Sequence, residues 1–221
     1  MKTEAHAIKP PFCALCKVIA CEAEPGTHPP PKFCIMTEEP ALLEAVKARY
    51  SDQEELHEIA VAAAQTEASG YMHRTRIEDI MDFARRIGAS RIGIAHCVGL
   101  IHEAWLATEI FLGNQFEVYS VCCKVGSIPK ETIGLKEEEK INPGEYEPLC
   151  NPVAQAALLA EAGTQFNVVI GLCVGHDSLF FMHSRAPVTV LVAKDRVLGH
   201  NPVAALYTSS SYYKRLKSSP R

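Results

Sequence analysis

Three stretches of this chain repeat one pattern: a glycine, a turn of two or three residues, an apolar strand-like run and a cysteine near its end. They are RIGASRIGIAHCVG at residues 86–99, LGNQFEVYSVC at 112–122 and EAGTQFNVVIGLCVG at 161–175. Glycine is the residue that most readily closes a helix in the left-handed conformation, so each stretch reads as a junction from helix to strand. A further apolar run, PVTVLVA, follows at 187–193. Strands separated by helices pair in parallel, in a sheet covered on both faces. The pattern predicts an α/β, Rossmann-like three-layer domain with a mostly parallel sheet.

Helices are expected before the sheet and between its strands. Thr37, ahead of Pro40, reads as the N-cap region of the run ALLEAVKARY. Ser51 and Glu54 have the spacing of a capping box, for a helix running to about Ala68 and closed by Gly70. Thr75 and Glu78 repeat that spacing and open a helix whose Ile77, Ile80, Met81, Ala84 and Ile87 share one face. Further helices are expected over 99–112 and 152–162. Asn151-Pro152 and Asn201-Pro202 each read as an N-cap followed by proline at the first helical position. The stretch 126–149, rich in Glu, Lys, Gly and Pro, carries no clear element and reads as a long functional or mobile loop.

The nine cysteines divide along the chain. Cys13, Cys16, Cys21 and Cys34 are spaced C-x2-C-x4-C-x12-C in a proline-rich stretch with few apolar side chains. Such a stretch has little core of its own and gains order from a metal. Four thiolates suit a structural zinc ion; an iron-sulfur cluster or free redox thiols are the alternatives. Residues 1–36 are therefore read as a cysteine-rich metal-binding segment, ahead of an α/β domain over 37–221 that begins with helices.

The other cysteines fall where strands end. Open parallel sheets bind ligands beyond the carboxyl ends of their strands, and Cys97, Cys122 or Cys123, Cys150 and Cys173 all belong at that edge. Adjacent Cys122 and Cys123 point opposite ways on a strand. Cys122 is read as facing the pocket and Cys123 as a core residue. Cys97, Cys122, Cys150 and Cys173 are then the candidate cofactor ligands. Three chemistries compete: small buried hydrophobes, an iron-sulfur cluster or second zinc, and a nucleophilic or redox thiol. For the last, Cys173 is the candidate, since GLCVGHD sets it in a glycine-bounded turn entering a helix, where amides stabilise a thiolate. His176 would serve as acid/base or ligand. Asp177 either orients it or merely caps the helix. His96, His102 and His200 stand at similar junctions, where ordinary local bonding is the plainer reading. Lys194, Asp195 and Arg196 either bind an anionic substrate or form a solvated turn.

Composition narrows the partners. Lys and Arg total 22 against 26 Asp and Glu, a formal charge of -4, so nothing marks a nucleic-acid surface. No run approaches the length of a membrane span, and MKTEAHAIKPPFC lacks the apolar core of a signal peptide. A cytoplasmic setting is therefore expected, where dense cysteines mean metal or catalysis more often than disulfides. No G-x-G-x-x-G fingerprint or P-loop follows a strand, leaving NAD or ATP without support. The expected partners are a metal ion and, at the sheet edge, a small molecule. No pattern encodes the oligomeric state.

Four motifs together resemble the DUF1847 family of predicted metal-binding proteins over essentially the whole chain. They are the N-terminal C-x2-C-x4-C, HRTRIEDIMDFARRIG from His73, AHCVGL from Ala95, and GLCVGHDSLFFMHSRAPVTVLVAKDRVLGHNPVAALY from Gly171 to Tyr207. The resemblance implies metal binding through Cys13, Cys16, Cys21 and Cys34 and no settled reaction. The second site comes from strand placement alone. The leading expectation is a metal-binding α/β protein with a structural zinc site and a cysteine-lined pocket at the carboxyl edge of its sheet. The alternatives are an iron-sulfur redox protein, a thiol-dependent enzyme using Cys173 and His176, and a non-catalytic metal or small-ligand sensor.

Overall fold

A computed structural model describes residues 13–218; the first twelve residues of the cysteine-rich segment lie outside the described residues. The described residues form two compact units, one up to Ala64 and one from Gln65 onward.

The first unit begins with two short 3-10 turns, Cys13–Leu15 and Ala20–Glu22, followed by helix α1 (Ile35–Glu38) and helix α2 (Pro40–Asp52). Two helix starts differ from expectation. Thr37 lies inside α1, where its hydroxyl donates to the Cys34 carbonyl, and Glu39 holds the N-cap position of α2. Ser51 lies in the last turn of α2, so the Ser51/Glu54 box does not open the next helix. Nothing between Arg49 and Asp52 breaks a helix, and α2 continues through the serine. Helix α3 (Glu54–Gly70) crosses the division between the units and ends at the expected glycine.

In the second unit, helix α4 (Arg76–Arg86) opens as its sequence dictates. The Glu78 carboxylate accepts both the Thr75 amide, at 2.7 Å, and the Thr75 hydroxyl, at 2.6 Å. Ile80, Met81 and Ala84 are buried, with Ile77 and Ile87 packed beside them. Gly88, at φ +69°, turns the chain so that the Ala89 amide reaches back to the Ala84 carbonyl at 2.8 Å. Strand β1 (Arg91–His96), helix α5 (Ile101–Gly113) and strand β2 (Glu117–Cys122) come after it. Next come helix α6 (Pro152–Glu161), strand β3 (Phe166–Ile170), helix α7 (His176–His183), strand β4 (Val188–Val192) and the short helix α8 (Val203–Tyr207).

The four strands pair in parallel in the order β2-β1-β3-β4. The chain moves outward from β1 to β2, then returns past β1 to lay down β3 and β4. With crossovers of one hand, α4 and α5 cover one face while α6 and α7 pack together on the other. The switch in direction falls between β1 and β3, and open parallel sheets take their ligands beyond the carboxyl ends of the strands at such a point. Ile92 and Ile94 of β1, Val168 and Ile170 of β3, Phe111 of α5, Leu159 of α6 and Phe180 of α7 are fully buried around this sheet. Each contributes about 1.5–3 kcal/mol by leaving water, enough to hold the central strands as a rigid base.

Two further local expectations divide. Asn151 caps α6, its side-chain oxygen accepting the Ala154 amide at 3.1 Å. Asn201 does not cap α8: Pro202 holds that position without a side-chain bond. The stretch 126–149 has no helix beyond 3-10 turns at Lys130–Ile133 and Glu137–Glu139, but it is tied to itself. Pro129 bridges Pro148, Lys130 pairs with Glu147, and the buried Lys140 ammonium pairs with Glu131 and Glu137.

Candidate site at the carboxyl edge of the sheet

The register of the strands decides which cysteines meet. His96 pairs with Cys122 as the last matched residues of β1 and β2, and the Cys123 amide donates to the His96 carbonyl at 2.8 Å. Cys97 and Cys123 are therefore neighbours in the next row. On the far side of Cys123, its carbonyl accepts the Asn151 amide at 2.7 Å, which lays Cys150 alongside. On the near side, the Cys97 amide donates to Ile170 at 3.0 Å, so the row continues to Gly171. Cys150, Cys123, Cys97 and Gly171 thus form one rank across the carboxyl edge, at the roughly 4.8 Å spacing of adjacent strands. Gly171 has φ +65°, and a Cβ there would lie 2.6 Å from Leu100 Cδ2. The chain turns at this glycine, and the Leu100 side chain fills the space that a side chain there would need.

Cys123 takes the place expected for Cys122. Successive residues on a strand face opposite ways, and Cys97, one residue past β1, shares its row with 123 rather than 122. Cys122 packs half-buried against the core, while Cys123 is 1% exposed. The spacing from strand start to cysteine in the repeats holds the clue, but only with the register known.

The thiols influence one another. The Cys97 thiol is drawn down to about 4, first by Cys123 as a hydrogen-bond donor, against the opposing effect of burial, then by the Gly99 amide and the Lys194 ammonium. Cys150 is drawn down to about 5, again first by Cys123, against burial, then by the charges of Lys124 and His176. Cys123 is pushed strongly upward by its bonds to Cys150 and Cys97 and by burial. The result is a protonated thiol between two thiolates. The Cys123 sulfur also accepts the Val98 amide at 3.3 Å.

Three cations reach the rank from two loops. Lys194 Nζ lies 3.5 Å from Cys97 Sγ, and Arg196 Nη2 lies 3.1 Å from Cys173 Sγ. Cys173 chiefly, and Cys97 and Cys150 from farther away, raise the Arg196 guanidinium still higher. That shared influence ties Cys173 to the same edge. Lys124 directly follows Cys123, and its ammonium donates to the Pro148 carbonyl. Lys194 and Arg196 are presented by a fixed turn. Asp195 Oδ1 accepts the amides of Val197 and Leu198, each at 2.9 Å, and His200 Nδ1 accepts the Asp195 amide at 3.1 Å.

The remaining candidates take up plainer roles. Asp177 Oδ1 accepts the Gly175 and Ser178 amides at 3.0 and 2.8 Å, so it is tied to backbone in the first turn of α7, whose N-cap is Gly175, rather than orienting His176. His176 Nδ1 is buried without a partner. His96 Nδ1 bonds the Cys97 carbonyl, and His102 stacks on Trp105. Gln155, unmarked by any motif, is fully buried beside the rank. Its amide nitrogen bridges the His96 and Val121 carbonyls while its oxygen stays unpartnered.

In the first unit, Cys13, Cys16, Cys21 and Cys34 all line one hollow of about 190 Å³, together with Ile19, Ala20, Pro31 and Phe33. The Cys16 amide bonds the Cys13 carbonyl at 3.0 Å, and the Ile19 amide points at Cys16 Sγ at 3.4 Å. Four cysteines thus border one space. Among the described residues, however, no three Cys, His, Asp or Glu side chains already stand in position to hold a metal ion, here or at the sheet edge. Nor is any described helix long and apolar enough to cross a membrane.

A family model described as a protein of unknown function (DUF1847) matches residues 34–191. The match is narrower than the whole-chain resemblance of the motifs: it includes the entire rank and Cys173 but leaves out Cys13, Cys16 and Cys21 at one end and Lys194 and Arg196 at the other. An uncharacterized protein of Methanocaldococcus jannaschii is 48% identical over 167 residues, covering 76% of this chain and 83% of that protein. No solved structure matches the chain.

Proposed function

Because the chain belongs to the DUF1847 family, whose function is unknown, its chemistry has to come from its own residues, and we propose that it is an iron-sulfur redox protein with a separate structural zinc site. The observation that carries this reading is the rank of Cys150, Cys123 and Cys97, with Cys173 tied to the same edge through Arg196. A single zinc ion binds sulfur at about 2.3 Å, which requires all four sulfurs to converge on one point. Cys123 is hydrogen-bonded to both Cys97 and Cys150, and so stands between them in a row. Thiolates set out in a row suit a group with several metal atoms, which meets them at separate corners. Cys97, Cys123, Cys150 and Cys173 would hold it, and it would supply one-electron chemistry there. The donor set fits: the sulfurs are soft ligands, two are already ionised near neutral pH, and Lys124, Lys194 and Arg196 offset the charge of the set.

The N-terminal cysteines are on irregular chain, which can fold around a point. We assign zinc to Cys13, Cys16, Cys21 and Cys34 on that ground and on their shared hollow. Reduced thiols and oxygen-labile clusters belong to the cytoplasm.

A second reading rests on its own observation. Arg196 stands against Cys173, and the buried His176 Nδ1 has no partner. Together they suit a thiol-dependent enzyme with Cys173 as nucleophile and His176 as acid/base. Anaerobic purification, then iron, acid-labile sulfide and zinc analysis, separates the readings. The proposal expects iron, sulfide and about one zinc per chain, with Cys97→Ser and Cys150→Ser losing iron and keeping zinc. Colourless protein without sulfide overturns it. Retained iron in Cys173→Ala removes Cys173 from the ligand set and favours the second reading.

A further inference from the structure

We propose that Arg196 and Lys194 form a binding site for a small oxyanion, a carboxylate or a phosphate, in the crevice between β1 and β3 beside Cys173. The charge balance of this site rests on the reading of the rank as a metal centre; its geometry does not.

Four observations converge on this place. First, it is the switch point of the sheet, where β1 leads away to β2 and β3 leads away to β4, and open parallel sheets take their ligands at such crevices. Second, the Arg196 side chain is exposed, and of its five N–H donors only one is engaged, by Cys173 Sγ. The rest of the fork is open toward solvent, in the planar arrangement that matches two oxygens of one anion. Third, Lys124, Lys194 and Arg196 make no ion pair with a carboxylate among the described residues. Arg74, Arg86, Arg91, Lys130 and Lys140 in the same unit each do. Fourth, the turn carrying Lys194 and Arg196 is fixed by Asp195 and His200 through backbone bonds, so both cations are held in place before any ligand arrives.

Charge accounts for the remaining capacity. Four thiolates around a core of charge +2, zinc or cluster, leave two negative charges. Lys124, Lys194 and Arg196 bring three positive ones. One positive charge is left over before the Asp195 carboxylate is counted, which is bound to the Val197 and Leu198 amides of its own turn; Arg196 is the cation that faces outward. The floor is also kept open: Gly175 has nothing within 4 Å of where its Cβ would be, and Gly99 lets the Lys194 ammonium approach to 3.5 Å of the same position. The helix α7 amides do not compete for the anion, since Asp177 and the Cys173 carbonyl already use them.

The test is calorimetric titration of the anaerobically purified full chain with inorganic phosphate and, separately, with acetate, at constant ionic strength. Saturable binding of either anion is expected, and the preferred one identifies the class. Arg196→Gln should weaken it at least about tenfold, as loss of a charge-assisted bond does, with Lys194→Gln weakening it less. Arg196→Lys should retain part of the binding. Arg185→Gln, at the opposite edge of the sheet, should leave it unchanged. Circular dichroism checks that each variant is folded, and Lys194→Gln decides the matter if Arg196→Gln is not. Absence of saturable binding of both anions to the wild type, or equal binding by folded Arg196→Gln, overturns the proposal. Iron, zinc and sulfide are measured on the same samples. Anion binding without iron keeps the oxyanion site and defeats the cluster; iron without anion binding does the reverse.

Discussion

Cys97 and Cys123 stand side by side at the ends of two parallel strands, because the Cys123 amide is bonded to the carbonyl of the residue before Cys97. The pair is thus fixed by the same ladder that fixes the sheet. One member is held ionised and the other protonated, although both are buried. Their difference is relational: each sulfur owes its state to the other.

That dependence predicts an ordering of reactivity. In metal-free protein at pH 6, the half-buried Cys150 should alkylate first, the buried Cys97 more slowly and Cys123 least, since an accessible thiolate rather than a thiol reacts. Cys123→Ala removes the donor on which both neighbours chiefly depend, so their labelling at pH 6 should fall severalfold. Cys123→Ser, which keeps a hydroxyl donor, should restore much of it. Peptide mass mapping after brief iodoacetamide treatment reads all three sites, and unchanged labelling in Cys123→Ala would show that Cys123 does not control its neighbours.

Stability should vary with pH in two directions. Cys97 and Cys150 have folded values far below the unfolded thiol value of about 8.5. Their contribution is fully present above that value and is lost as pH falls toward about 5 and then about 4. Cys123 is raised, so its contribution is present below the unfolded value and is lost as pH rises above it. Urea midpoints of the metal-free chain should therefore rise from pH 5 to about 8 and decline beyond. A Cys97→Ser/Cys150→Ser variant should flatten the acid limb; an equally steep limb in that variant assigns it to other groups.

Gly171→Ala tests the close approach of Leu100 to the end of the rank. Alanine meets both the positive φ and Leu100, which is 1% exposed and has little room to yield. The left-handed conformation alone costs about 1–2 kcal/mol. The expected result is a lower denaturation midpoint together with loss of bound iron, because Leu100 is driven toward the row of Cys97. Full iron content at wild-type stability would show that this close approach has no such role.

Lys140→Met should loosen the 126–149 stretch without unfolding the sheet. The Lys140 ammonium pairs with Glu131 and Glu137 from two different turns, and methionine leaves those carboxylates facing each other unbridged. Limited proteolysis should show new cuts within 126–149 while circular dichroism stays near wild type. Unchanged cleavage would mean that the Pro129–Pro148 bridge and the Lys130–Glu147 pair hold the stretch unaided.

What the sequence reveals depends on the range of the interactions involved. Helix α4 is legible because its cap, its apolar face and its closing glycine are all written within fifteen or so residues. The strands are legible as apolar runs bounded by glycines. Ser51 and Glu54 mislead because a cap forms only where the preceding helix has stopped, and α2 has not. Alternation says that Cys122 and Cys123 differ, while only the pairing of β1 with β2 says which one meets Cys97, so the choice of Cys122 fails. The ion pairs within 126–149 connect residues whose spacing follows no period, so composition suggests a mobile loop where the fold has a tied one.

The ladder has a consequence for assembly. Cys97 and Cys123 hang on backbone bonded to neighbours on both sides, so their positions are set when the sheet folds. Cys150 is pinned beside them by the Asn151 amide, and only Cys173 comes from a loop outside the row. Any guest of this edge therefore meets three partners already in place and one that joins from outside the row. Filling then proceeds in an order imposed by the strands, and rapid-mixing absorbance during reconstitution should resolve it into a fast phase at the three fixed thiols and a slower one as Cys173 joins.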